Sequence, residues 1–285
     1  MDKVAIVADS IACLTTKMIE QYGIRIVPSN IHFNNQVYRE YVDISPSEAY
    51  RLLEKDPERF TTSAPSPTDY LEAYRELSTR AESILCITLS SKLSMLHDAA
   101  ALAAEQAKKE LPQTQIELLD SQTAAAAEGF VVLAAARAAA EGQGLAEAIT
   151  AAETVREKVT LYALMDTIRY AYRSGRIPKV AARVGSTFRI KPIFTVSDGV
   201  AHFVGIARTK ERAVERIIQM TSEKVGVKPA HMAVIHADAL YEAQRLKERV
   251  ASVFNCVELW ISEFSPIMGY TTGRGLLGFA FYSET

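Results

Sequence analysis

Two hydroxyl-rich stretches hold the residues with the most chemistry to offer. In "ITLSSKLSMLHDAA", residues 87–100, Ser90, Ser91 and Ser94 fall within five positions. In "FTTSAPSPTDY", Thr61, Thr62, Ser63, Ser66 and Thr68 surround Pro65 and Pro67. Hydroxyls donate to a carboxylate or phosphate without bringing a compensating charge, which suits a ligand held by few polar groups in an apolar pocket. Taken singly, the second cluster reads more readily as a Pro-rich loop with a helix cap at Ser66 or Thr68. The recurrence of such clusters shifts the balance toward a ligand.

Nucleophilic and metal chemistry find less support. The chain contains no Gly-x-Ser-x-Gly elbow, no Walker loop and no His-Glu-x-x-His. Its five histidines, His32, His97, His202, His231 and His236, are scattered, whereas a metal site needs three or four convergent ligands. His97 follows Ser94 by three residues and on a helix could approach its hydroxyl. Neighbours that close in sequence argue only weakly for a nucleophile–base pair. A hydrolase using Ser94 or Ser91 is therefore disfavoured. "GRGLLG", Gly273–Gly278, matches the dinucleotide glycine pattern, but only seven residues follow it and "FAFY" reads as a strand. A glycine turn open to an anion and a purely structural turn both fit it.

The elements that must position these residues alternate in the first half. "VAIVAD" (4–9) reads as a strand, "LTTKMIEQYG" as a helix closed by Gly23, and "IRIVPSNIHF" as extended. "SPSEAYRLLEKD" has a Ser-x-x-Glu start with Pro46 in the first turn, and "PTDYLEAYRELSTRA" places Tyr70, Leu71, Tyr74 and Leu77 on one face. "SILCITLS" then gives a strand, 94–110 a helix, "QIELLD" (115–120) a strand, and an Ala-rich helix follows. Strands apolar on both faces and separated by helices predict a largely parallel sheet flanked by helices. Ligands bind beyond the carboxyl ends of such strands. Asp9-Ser10, Ser90-Ser91 and Asp120-Ser121 all fall at that edge.

From about residue 157 the texture changes. "VTLYALMD" reads as a strand running into a helix that ends at "YRSGRIP". "FRIKPIFTVSDGVAHFVGIAR" predicts two strands joined at Ser197-Asp198-Gly199. A helix over 210–224, a strand over 231–237, a helix over 238–253, and strands over 256–263 and 276–282 complete the chain. The expectation is α/β: an N-terminal domain, residues 1–156, carrying the hydroxyl-rich loops, and a C-terminal domain, 157–285, with a mixed sheet. A ligand would lie in the cleft between them.

Bulk composition narrows the function classes. Of 285 residues, 48% are hydrophobic and 23% charged, with a formal charge of −2 and no basic stripe, which argues against nucleic acid. The apolar run from Gly129 to Ala136 is far shorter than the ~20 residues that span a bilayer, and the apolar start of the chain is too short for a signal peptide. Cys13, Cys86 and Cys256 have no paired spacing, which fits free thiols in a reducing cytoplasm.

In order along the chain, "VAIVADS", "TTSAPSP", "LSSKLS", "LLDS", "YRSGRI", "RIKPIFTVSDG" and "ARTKERA" resemble the motifs of the DegV family. That family includes the fatty-acid-binding subunits of bacterial fatty-acid kinase. The resemblance covers nearly the whole chain. It implies a non-enzymatic, lipid-binding protein of bacterial phospholipid metabolism, without cofactor or metal, holding one long-chain fatty acid. A separate kinase subunit would phosphorylate the presented carboxylate to an acyl phosphate.

The family's carboxylate-binding positions map to Thr62 and Ser94, with Ser63 and Ser91 beside them. Its Gly-Arg-Ile turn maps to Gly175, Arg176 and Ile177, and a further arginine to Arg208, near the carboxyl end or facing the kinase. The chain departs from the family at three places. Met95-Leu96 stands where Gly-Thr is usual, and Ala64 replaces a Gln. Thr271-Thr272-Gly273-Arg274-Gly275 replaces His-x-Gly-Pro-Gly. Thr271 can donate to a carboxylate but cannot supply a positive charge, and Arg274 is the candidate for one, near the carboxyl end or facing the kinase. These departures make another lipid or a small carboxylate, without kinase coupling, the alternative ligand reading.

Overall fold

β1 (Asp2–Asp9) is buried from Val4 onward and forms the centre of a sheet. It pairs in parallel with β2 (Arg25–Val27) on one side and β6 (Ala81–Thr88) on the other, and β6 pairs in parallel with β7 (Gln115–Asp120). The order is β2-β1-β6-β7. The computed structural model describes residues 2–168, 170 and 190–284. Arg176, Gly175 and Ile177, with the helix expected to end at "YRSGRIP", lie outside the described residues.

α1 (Thr16–Tyr22) follows β1 and ends at Gly23. α2 (Pro46–Lys55) and α3 (Pro67–Ser78) both start with capping boxes, Ser45 with Glu48 and Ser66 with Asp69, so Ser66 is the cap of the second cluster. A small antiparallel sheet, in the order β4-β3-β5, takes two strands from before α2 and one from between α2 and α3. It consists of β3 (Asn30–Phe33), β4 (Gln36–Arg39) and β5 (Thr61–Ser63). The Thr61–Ser63 segment expected as loop is thus an edge strand, paired with β3 through Ile31 and Thr62.

α4 spans Leu96–Glu110, with Met95 at its N-cap making no side-chain cap bond. The helix expected from residue 94 therefore begins after Ser94, which neither caps it nor sits in its first turn. α5 (Ala125–Ala140) and α6 (Leu145–Lys158) pack side by side. Twelve of the sixteen α5 residues are buried. The helix touches β1 and β6 on one side and elements of the second sheet on the other. A helix apolar all round is a helix buried all round. No helix among the described residues is long and apolar enough to cross a membrane.

The second sheet is mixed, in the order β10-β9-β8-β13-β11-β12. Its strands are β8 (Thr160–Leu164), β9 (Lys191–Ser197), β10 (Val200–Ala207), β11 (Ala230–His236), β12 (Cys256–Glu263) and β13 (Leu277–Ser283). Only β11 and β12 run parallel. Asp198 and Gly199, at φ 51° and 76°, make the expected two-residue hairpin between β9 and β10. Alternation divides the sheet's faces. Leu161, Ala163, Phe194, Ala233, Ile235 and Ala280 join the core that contains α5 and α6. Tyr162, Leu164, Ile193, Val234, Phe279 and Phe281 pack with α7 (Lys210–Val225) and α8 (Leu240–Val253). A short helix not anticipated from sequence, α9 (Pro266–Thr272), lies before β13. The two α/β domains thus stack as helix, sheet, helix, sheet, helix, sharing α5 and α6 at the middle.

Candidate ligand cavity

The parallel strands deliver their polar ends to one edge, and backbone hydrogen bonds fix the loops there. Asp9 is fully buried, its Oδ1 accepting from Ile11 N at 2.9 Å and its Oδ2 from Leu89 N at 2.8 Å. Ser90 N donates to Thr123 O at 3.1 Å and Ser121 N to Thr88 O at 3.0 Å.

The three serines of the first cluster have three different roles. Ser90 is buried, and its Oγ donates to Gly199 O at 2.8 Å, reaching the β9–β10 turn of the other domain. Lys92 Nζ donates to Asp198 O at 2.8 Å in the same turn, and Gly199 N to Gln122 O at 3.0 Å. A Cβ at position 199 would stand 2.6 Å from Ser90 Oγ, so only glycine admits this grip. Ser91 Oγ donates to Asp120 Oδ2 at 2.6 Å and does not line the cavity. Its expected place at the ligand is corrected by that partner. Ser94 is half-buried, lines the cavity and makes no hydrogen bond among the described residues.

The cavity opens between the domains and holds about 850 Å³ of empty space, its open mouth included. Twelve of its eighteen described lining residues are apolar, among them Leu89, Leu93 and Leu96, Phe194 and Val196, and Phe264 and Met268. The other six carry hydroxyls: Ser29, Thr62, Ser63, Ser94, Thr271 and Thr272. None of the eighteen is charged. Ser63 Oγ is 2.9 Å from His32 Nε2, and Thr272 Oγ1 donates to Met268 O at 3.4 Å. Like Ser94, Thr62 and Thr271 keep their hydroxyls unengaged among the described residues. An array of donors with no charge in an apolar wall can hold an anion by hydrogen bonding, provided its tail is apolar.

The arginines stand elsewhere. Arg274 pairs with Asp238 at 2.7 Å and Glu54 at 2.9 Å, and is absent from the lining. Its expected service to the carboxyl group is thereby redirected to two surface acids. Arg208 is exposed, does not line the cavity and makes no ion pair among the described residues. Gly273 follows α9 and is not a lining residue either. Of the Met95-Leu96 pair, Leu96 is 1% exposed and lines the cavity, whereas Met95 is 70% exposed. His97 Nδ1 lies 3.0 Å from Thr88 Oγ1, so its approach to Ser94 does not occur.

Sequence reasoning missed Ser29, whose single hydroxyl beside Pro28 carries no pattern, and it missed the α9 contribution of Ile267 and Met268. Three acids are buried nearby. Burial raises Asp9 to about 6 despite its backbone donors, and raises Glu40 to about 7 despite hydrogen bonds from Ser10 and Ser265. Burial and the Asp9 charge beside it hold Glu128 well above the usual carboxylate range.

A two-domain α/β frame closing over a hydroxyl-studded cavity, uncharged among its described lining residues, defines the class. The model of the DegV family, described as an uncharacterised protein family, matches residues 3–284, and the chain belongs to that family. A DegV domain-containing protein of Streptomyces coelicolor is 34% identical over 277 residues, 96% of each chain. Two solved structures superpose closely. A DegV family protein of Thermus thermophilus, described by its fatty acid binding, is 28% identical with a TM-score of 0.88, covering 99% of this chain and 100% of that one. DegV of Bacillus subtilis, described as a fatty acid binding protein, is 28% identical with a TM-score of 0.88 and full coverage of both chains.

Proposed function

We propose that this chain is a non-enzymatic fatty-acid-binding protein. The carboxylate meets the hydroxyls of Thr62, Ser94 and Thr271, with Ser63 and Thr272 beside them, and the tail lies among the apolar lining. The observation that carries this reading is the unengaged hydroxyls of Thr62, Ser94 and Thr271, set among described lining residues that carry no charge. The two superposing proteins described as fatty acid binding support the ligand class. Each buried methylene contributes about 0.8 kcal/mol, so a long chain supplies roughly 10 kcal/mol before ordering and desolvation costs.

The resemblance extends the proposal to a separate kinase that phosphorylates the presented acid in the cytoplasm, with the exposed Arg208 on the kinase-facing side. Arg176 belongs to the same proposal, and the division near residue 157 to its domain frame. A different lipid is the second reading, favoured by Leu96 in the wall and by Thr271, which offers no charge.

Mass spectrometry of the organic extract of the purified protein tests the first half: a stoichiometric fatty acid is expected. An empty protein that also fails to take up added fatty acid ends the proposal. A hydrolase would instead reveal itself by ester turnover lost in Ser94→Ala. Acyl phosphate formed from the loaded protein with ATP and a cognate kinase tests the second half, and its absence removes the coupling alone.

A further inference from the structure

Among the described lining residues, Ser29 is the one whose hydroxyl is both sealed from solvent and without a described hydrogen-bond partner. Its backbone is held on both sides. Ser29 N donates to Ser10 Oγ at 3.1 Å, and Ser29 O accepts from Glu40 N at 2.9 Å. The backbone that carries the side chain is therefore positioned before any ligand arrives. Ser29 directly precedes β3, whose Ile31 pairs with Thr62, which places it two residues, on the order of 7 Å, along the sheet from Thr62.

This hydroxyl is badly placed for the carboxylate itself. Thr62 and Ser94 are half-buried at the mouth, whereas Ser29 is 0% exposed. Behind it, the Ser10 hydroxyl also reaches the buried carboxyl of Glu40, and Glu40 Oε2 has no partner. A ligand carboxylate there would lie beside a second carboxyl group already short of donors. A plain methylene chain is no better matched, because it leaves Ser29 buried and unpaired. A neutral group that can both donate and accept satisfies the position.

We infer that Ser29 reads a hydroxyl group on the acyl chain, so that the preferred ligand is a hydroxylated fatty acid. The inference rests on the fatty-acid reading above and adds a second polar contact inside the mouth.

The test is competition binding to the delipidated full chain. The probes are hexadecanoic acid and its derivatives hydroxylated at the second carbon, the third carbon or mid-chain. At least one hydroxy acid is expected to bind about tenfold tighter than the plain acid, a difference of about 1.4 kcal/mol. Ser29→Ala brings that ratio to about one, and Ser29→Thr, which keeps the hydroxyl, retains it. Equal binding of plain and hydroxylated acids by the unaltered protein overturns the inference and leaves the fatty-acid reading standing. A preference that survives in Ser29→Ala overturns it as well. If no acid of either kind binds, both fall.

Discussion

At the scale of single residues, the site depends on hydroxyls that lack other work. Thr62 comes from edge strand β5 and Ser94 from the turn before α4, and neither makes a hydrogen bond among the described residues. Replacing both, as Thr62→Val with Ser94→Ala, keeps volume nearly constant and removes two donors to a charged acceptor, each worth about 1.5–3 kcal/mol. Affinity for hexadecanoic acid is expected to fall by about a hundredfold or more, with little change in unfolding temperature. Unaltered affinity in a titration would assign the carboxylate to other groups. The sequence made Thr62 and Ser94 visible because hydroxyls cluster around them. It could not separate Ser91 from Ser94, since only the fold shows Asp120 taking up the Ser91 hydroxyl at 2.6 Å. Ser29 was invisible for the opposite reason: a lone serine acquires meaning only from what fails to reach it.

At the scale of elements, α5 explains much of what could be read ahead. Its Ala-rich composition and the apolar run from Gly129 to Ala136 marked a helix in the sequence, and strands ending in Asp-Ser announced the edge of a parallel sheet. The hairpin at Asp198-Gly199 was equally plain, because two consecutive left-handed residues have a strong sequence signature. α9 was not legible: seven residues with Pro266 at the start offer too little periodicity. Close packing makes α5 intolerant. A Cβ at Gly129 would meet Ala12 O at 2.5 Å, where the helix crosses the turn after β1. Gly129→Ala is expected to destabilise the protein by about 1–3 kcal/mol, although the same change on an exposed helix face would stabilise it. A lower midpoint in urea checks this, and a raised midpoint would mean that the helix shifts freely.

At the scale of the whole molecule, the buried acids make stability depend on pH. Glu40 rises from 4.5 to about 7 and Asp9 from 3.8 to about 6 on folding, each chiefly through burial. The folded protein therefore holds more protons than the unfolded chain between about pH 4 and 7, and its stability falls as pH rises through that window. Asp43 and Glu258, both lowered to about 2, act in the opposite sense only in stronger acid. Between pH 5 and 8 the unfolding temperature is expected to decline, less steeply in Glu40→Gln; equal slopes in the two proteins would show that Glu40 is not responsible. Neither this nor the sharing of α5 between two sheets was foreseeable from composition, because both depend on how the halves close. The Ser90 and Lys92 grip on the β9–β10 turn has a further consequence, since Val196 and Ala201 of that hairpin wall the cavity. The wall of the cavity is thus braced from outside, by bonds that a guest never touches.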